Sequence, residues 1–325
     1  NSDSICSIDK LTDEIIDHLE DPSENKEIKI KGLMMGEVQS GKTNTFTAVC
    51  HKAIDVGWRF IIVLSGMTNS LRLQTQERLN ADLIGYTLSS RSGRQETGIR
   101  KDLNPYYNAL SANFKPLTSV DNDFDIKCMS KILKQNDHSV YIGVFKKNSI
   151  ILNHLLEWLG ISKDGVETNS DRKRIAFNLP CLVIDDEADQ ASPNGKESES
   201  EITAVNESIR TLLNFFKKSA YLAVTATPYA NIFINPQLDE GTKTLPDLFP
   251  KDFIFLKDTP KGYLGLTELF GNKNDDGYNE YQDQIVIPIP TSDNEIFSKP
   301  LKKGDKIGEV TFTLDGQTLA TTNLV

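Results

Sequence analysis

The chain has 325 residues, 38% of them hydrophobic and 25% charged, a soluble globular composition long enough for about two domains. Mean hydropathy is -0.36, and no apolar run approaches the ~20 residues of a membrane span, which excludes a transmembrane protein. Thirty-six Lys and Arg against 46 Asp and Glu leave a net charge of -10, so the whole is not a polycation that coats nucleic acid, although local basic grooves stay open.

The four cysteines, Cys6, Cys50, Cys128 and Cys181, lie far apart, with no CxxC pair and no histidine at zinc-ligand spacing. Neither a disulfide scaffold nor a zinc module is indicated, and a reducing cytoplasm is the expected location. Asn1 is followed by no basic segment leading into an apolar stretch, so no secretory signal is expected and the sequence reads as a fragment of a longer or processed protein.

Along the chain, residues 10–20 place Leu11, Ile15, Ile16 and Leu19 at helical spacing. Residues 28–36 read as a strand entering a glycine-rich turn, followed by a helix ending at Gly57. The alternation continues with a strand at 59–66, a helix at 69–79, a strand at 138–145 and a helix stopped by Gly160. Further strands fall within 179–189 and 219–234, separated by a helix around 202–218. Five strands alternating with helices predict a buried parallel sheet covered on both faces. Residues 1–27 form a helical lead-in, 28–271 the α/β domain with an insertion at about 86–137, and 272–325 a linker and a β-rich tail turning at Asp315-Gly316. An exposed acidic loop is expected at 190–200.

The strongest chemical signal is Gly36-Glu37-Val38-Gln39-Ser40-Gly41-Lys42-Thr43, which satisfies G-x-x-x-x-G-K-[ST] between a strand and a helix. In that pattern backbone N–H groups curl around phosphate oxygens, Lys42 reaches the β and γ phosphates and Thr43 ligates Mg²⁺. Gly36, Gln39, Ser40, Gly41, Lys42, Thr43 and Asn44 are thus expected to hold ATP. The second signal, Leu182 to Asp189, is an apolar strand ending in acids. Asp186 is expected to hold Mg²⁺ with Thr43, and Glu187 to orient and deprotonate an attacking water. Thr225-Ala226-Thr227-Pro228 follows a strand and offers hydroxyls that could link those acids to a neighbouring domain.

In order, GEVQSGKT, DDEAD and TATP resemble motifs I, II and III of superfamily two helicases. More closely, residues 10–271 resemble the Z-one domain family of bacterial proteins, labelled putative endonucleases and found beside defence-system ATPases. The stretches that carry this include VIDDEADQAS and NESIRTLLNFFKKSAYLAVTATPYANIFI, with Gln39, Asn69, Arg72, Gln74, Gln76, Asn206, Arg210 and Asn231. The resemblance implies a P-loop NTPase with a RecA-like parallel sheet, catalysis by Glu187, Lys42 and Asp186, and coupling through Thr225 and Thr227. It also implies DNA contact through Asn69, Arg72, Gln74, Lys146 and Lys147, although Arg72 and the lysines read equally well as solvated helix-end charges. Residues 86–150 hold 10 Lys or Arg against 6 Asp or Glu, which permits such a face.

Fewer than 60 residues follow residue 271, too few for the second RecA-like domain that supplies arginine fingers, so weak ATP hydrolysis by this chain alone is expected. The implied function is a helicase-like motor acting on DNA in a restriction-like or anti-phage defence protein, with a second domain or partner protein. The alternative is a nucleotide-sensing or endonuclease component completed elsewhere, although Pro246-Asp247 is not followed by the second acid and lysine of a nuclease. Trp58 and Trp158 read as core, and His51 and His154 as structural. The tail from Ser298 resembles the C-terminal β domain of D-alanyl-D-alanine carboxypeptidases, over a short stretch that contains no Ser-x-x-Lys.

Overall fold

A computed structural model describes residues 2–38, 40–89, 92–98, 113–124, 139–160, 176–190, 192, 203–232, 234, 247–259, 263, 308–314 and 317–324. The chain divides into two compact units, residues 1–260 and 261–325.

The first unit is α/β. Its strands are β1 (Ile28–Met35), β2 (Phe60–Ser65), a hairpin β3 (Tyr86–Ser89) and β4 (Gly93–Glu96), β5 (Phe114–Pro116), β6 (Val140–Lys146), β7 (Cys181–Asp186), β8 (Lys218–Thr225) and β9 (Phe253–Leu256). Seven of them form one sheet in the order β5-β6-β2-β7-β8-β1-β9, and every neighbouring pair is parallel. Its helices are α1 (Ser2–His18), α2 (Lys42–Val56), α3 (Asn69–Leu79), α4 (Ser149–Trp158), α5 (Ala204–Phe215) and a single turn α6 (Tyr229–Ile232).

Strand alternation explains how one sheet feeds two cores. In β2, Ile61 and Val63 join a core with residues of α1, α2 and α3, including Leu11, Ile15, Phe46 and Leu79. Phe60, Ile62 and Leu64 join the other, with Leu152, Leu155 and Trp158 of α4 and Ile209 and Leu212 of α5. Burial on both faces is why these strands are continuous apolar runs. Trp58 and Trp158 are buried in opposite cores, as expected.

Helix ends follow local chemistry. Gly57 ends α2 at φ 112, a left-handed conformation that glycine adopts without penalty. Thr68 caps α3 by accepting from the Leu71 amide, and Asn148 caps α4 by accepting from those of Ile150 and Ile151. A π-helical turn, Asn80–Ile84, extends α3 beyond its expected end.

Where five strands were expected the sheet has seven, β5 and β9 being the additions. Within 219–234 the expected strand is β8, which stops at Thr225, and α6 follows Pro228. The acidic loop at 190–200 lies outside the described residues apart from Gln190 and Ser192, as do large parts of the 86–137 segment. In the second unit, β10 (Gly308–Leu314) and β11 (Gln317–Leu324) pair antiparallel with an irregularity between Phe312 and Thr313. Among the described residues no helix is long and apolar enough to cross a membrane.

Candidate functional site

Parallel strands deliver the loops after β1, β2, β6, β7 and β8 to one edge of the sheet, the edge where open α/β sheets gather ligands. The loop after β1 is closed upon itself. The Gly36 amide donates to the Thr225 carbonyl at 3.2 Å and that of Ser40 to Glu37 at 3.1 Å. A Cβ on Gly36 would lie 3.1 Å from Ser40 Oγ, 3.2 Å from Lys257 Cβ and 3.3 Å from Lys42 Cγ. Gly41 heads α2 at φ 85 with no side-chain cap, so side chains leave the first-turn amides of that helix without acceptors. Ser40 Oγ is buried without a partner.

Lys42 folds back over this loop, its Nζ donating to the carbonyls of Glu37 at 2.8 Å and Gly36 at 3.1 Å. Burial pulls its ammonium below the ordinary lysine range, against the pull of Asp186, Glu187, Asp189 and Glu37. The loop lysine and the acids of the β7 exit are therefore electrostatic neighbours. Thr43 is half-buried, Asn44 is exposed, and Gln39 lies outside the described residues.

At the end of β7, alternation separates two adjacent acids. Ile184 belongs to the core on the α2 face and Val183 to the other, so Asp186 shares the face of the glycine loop and Asp185 the face of α4 and α5. Asp185 is fully buried, 2.7 Å from Lys147 Nζ, and accepts from Tyr221 Oη at 2.6 Å. Glu187 adopts φ 53, a left-handed conformation that costs a non-glycine residue roughly 1–2 kcal/mol. Its Oε2 lies 3.2 Å from the position a Gly66 Cβ would take. Asp189 accepts from Thr225 Oγ1 at 2.6 Å and from Thr227 Oγ1 at 2.8 Å. The two threonines thus fasten the strand exits of β7 and β8 together.

Burial, then Glu187 and Asp185, push the Asp186 carboxyl up from 3.8 to about 6, with Lys147 opposing. A folded value above the unfolded one means that the folded state holds this proton more tightly. The stability so gained is complete below about pH 4 and is lost as pH rises to about 6, beyond which the ionised carboxylate costs about 2–3 kcal/mol. Asp186→Asn is therefore expected to stabilise the ligand-free protein by about 2 kcal/mol at neutral pH and to flatten its urea midpoint between pH 4 and 6. A midpoint no higher than wild type would contradict the crowding.

Two residues expected to face nucleic acid are buried instead. Arg72 donates to the carbonyls of Ser119 at 3.0 Å and Val120 at 3.3 Å, pinning that segment to α3. Lys147 is buried against Asp185 and donates to the carbonyl of Glu187 at 2.6 Å and that of Gln190 at 3.2 Å. Of the other three, Lys146 donates to Asn69 Oδ1 at 2.9 Å, and Gln74 is exposed on α3. His51 is structural, bonded to the Asp82 carbonyl at 2.8 Å. Sequence reasoning missed Lys147, Asp185 and Tyr221 as a group, and Lys257, whose backbone continues the β1–β9 pairing beside Gly36.

The family model that matches this chain is Penicillin-binding protein 5, C-terminal domain, over residues 279–325, about one seventh of the chain and all of it in the second unit. No curated protein matches it. The family match agrees with the carboxypeptidase-like reading of the tail. It corrects the resemblance to superfamily two helicases and to the Z-one family: the matching model belongs to neither. The expectations of an ATP-hydrolysing motor on DNA, of an endonuclease component, of a defence role and of a partner RecA-like domain fall with that resemblance.

Enzymes of the penicillin-binding class use a nucleophilic serine in Ser-x-x-Lys. That pattern occurs at Ser7–Lys10 in α1, where the Ser7 hydroxyl donates to Asp258 Oδ2 at 2.8 Å and Lys10 lies 4.0 Å from Glu14, and at Ser23–Lys26, in the turn after α1. Lys26 there is ion-paired with Glu20 at 2.8 Å and Glu24 at 2.9 Å. These two hydrogen-bonded carboxylates drive its pKa upward, the opposite of what an activating lysine requires. A third occurrence, Ser170–Lys173, lies outside the described residues.

Proposed function

We propose that the first unit has the P-loop architecture and holds the phosphate chain of ATP together with Mg²⁺ at the C-terminal edge of its sheet. The observation that carries this is the junction at Thr225, whose carbonyl accepts from the Gly36 amide of the glycine loop at 3.2 Å while its hydroxyl donates to Asp189 of the β7 exit at 2.6 Å; Lys42 lies within the electrostatic reach of Asp186, Glu187 and Asp189. The donor set fits such a ligand. Gly36 and Gly41 shape a loop that leaves the first turn of α2 without a side-chain cap, and the buried, unpartnered Ser40 Oγ lies in the same loop. Backbone amides of residues 36–43 and the Lys42 ammonium would take phosphate oxygens, while Thr43 and Asp186 would hold the metal. When bound, Mg²⁺ neutralises phosphate charge and relieves the crowding of carboxylates around Asp186. For the second unit the family match favours a β domain of the kind found at the C-terminus of penicillin-binding protein 5, and the β10–β11 hairpin supports that reading.

Calorimetric titration of ATP with MgCl₂ tests the proposal. Wild type is expected to bind. Lys42→Ala, which removes a charge-assisted donor, is expected to weaken binding about 10- to 100-fold while leaving thermal stability close to wild type. Wild-type protein that binds neither ATP nor inorganic pyrophosphate would overturn it.

A further inference from the structure

The segment after β7 is held by a lysine that follows another strand. Lys147 follows β6, which is separated from β7 by β2. Its ammonium is buried with three oxygens around it: Asp185 Oδ1 at 2.7 Å, the Glu187 carbonyl at 2.6 Å and the Gln190 carbonyl at 3.2 Å. Asp185 is fixed on its other oxygen by Tyr221 Oη at 2.6 Å. The two carbonyls bracket the segment that carries the Glu187 and Asp189 side chains. One of them belongs to Glu187, whose φ of 53 needs surrounding structure to hold it.

We propose that Lys147 is the positioning residue of this site. Through Asp185 and the two carbonyls it sets the 186–190 segment in the conformation that accepts the metal-bearing form of the phosphate ligand. This rests on the reading of the site as one for ATP with Mg²⁺. Lys147 itself is engaged within the protein: its ammonium donates to the carbonyls of Glu187 and Gln190 and is ion-paired with Asp185, on the α4 and α5 side of the sheet. The expected signature is a loss of metal dependence, not of phosphate affinity, because the glycine loop and Lys42 stand on β1 and α2.

The test compares ATP affinity measured with MgCl₂ and with EDTA, in the full chain. The variant is Lys147→Met combined with Asp185→Asn, which removes both buried charges at once so that neither is left unpaired. The ratio of the two dissociation constants is expected to collapse at least about 10-fold toward unity, while affinity in EDTA stays within about 3-fold of wild type. Hydrogen exchange at the amides of Ala188 and Gln190 is expected to quicken in the ligand-free variant. Tyr221→Phe, which deletes only the hydroxyl bonded to Asp185, keeps the idea falsifiable if the double variant does not fold, and is expected to lower the ratio about 3-fold. A folded variant with the wild-type ratio overturns the proposal. Wild type that binds no ATP in either buffer overturns the underlying reading, and the proposal with it.

Discussion

Asp185→Ala is expected to destabilise the first unit by about 3–5 kcal/mol, the cost typical of leaving one member of a buried ion pair without the other. Both Asp185 and Lys147 side chains are completely buried, so water cannot replace the lost carboxylate. The same substitution strips Tyr221 Oη of its acceptor, adding an unsatisfied hydroxyl. Against a total stability of about 5–15 kcal/mol this is a large fraction. Urea denaturation followed by tryptophan fluorescence reports it directly, since Trp58 and Trp158 are buried in the two cores of that unit. Asp185→Asn, which keeps the shape and the bond to Tyr221, should lose less. Lys147→Met added to Asp185→Ala should recover part of the loss, because an apolar pair leaves no uncompensated charge. A loss below about 1 kcal/mol for Asp185→Ala would mean that the pair is hydrated in solution.

The adjacent acids Asp185 and Asp186 show what the sequence could and could not disclose. That an apolar strand ends in carboxylates is plain from LVIDDEAD, and that the acids meet the glycine loop follows from parallel strands. Alternation also makes legible that the two point to opposite faces, with Asp186 on the side of α2. What could not be read is which groups meet Asp185: Lys147 follows β6 and Tyr221 lies on β8, each about 40 residues away, and only the sheet order brings them together. Arg72 is a similar case, since the carbonyls it serves, Ser119 and Val120, belong to a segment without strong pattern. A basic residue beside polar sequence reads as solvated until the fold supplies its acceptors.

Strands were legible where both faces are buried. In FIIVLS of β2 every residue is buried, and five apolar residues run unbroken before Ser-Gly, the pattern of a strand covered on both faces. The missed strands are the two at the ends of the sheet. In β9, Ile254 and Leu256 are exposed while Phe253 and Phe255 pack toward His18. Pro250, Lys251 and Asp252 precede it, a context that reads as loop. β5 is three residues long and ends in proline. For a free strand edge that residue is no defect, since it offers no N–H to the solvent side. The likeness of the tail to the matching family was legible from KKGDKIGEVTFTLDG, whereas the helicase likeness of the first unit rested on short loop motifs, and the family match lies elsewhere in the chain.

Phe60→Ala should cost about 3–5 kcal/mol, the range for deleting a buried aromatic ring. Phe60 is wholly buried at the start of β2, between β6 and β7, with its ring centroid 5.3 Å from that of Phe216 and 6.1 Å from that of Tyr141. All three rings belong to the core under α4 and α5, so the cavity opens on the face away from α2 and the glycine loop. The substitution thereby separates stability from ligand affinity. If the loop binds ATP with Mg²⁺, the variant should retain wild-type affinity at a temperature where it is folded. A ligand at 100 times its dissociation constant should then restore about 2.7 kcal/mol, most of what the ring supplied. Lys42→Ala, destabilised little by itself and binding 10- to 100-fold more weakly, should gain only about 0.4–1.4 kcal/mol from the same ligand concentration. Equal thermal stabilisation of Phe60→Ala and Lys42→Ala by Mg²⁺ and ATP would place the ligand somewhere other than the glycine loop.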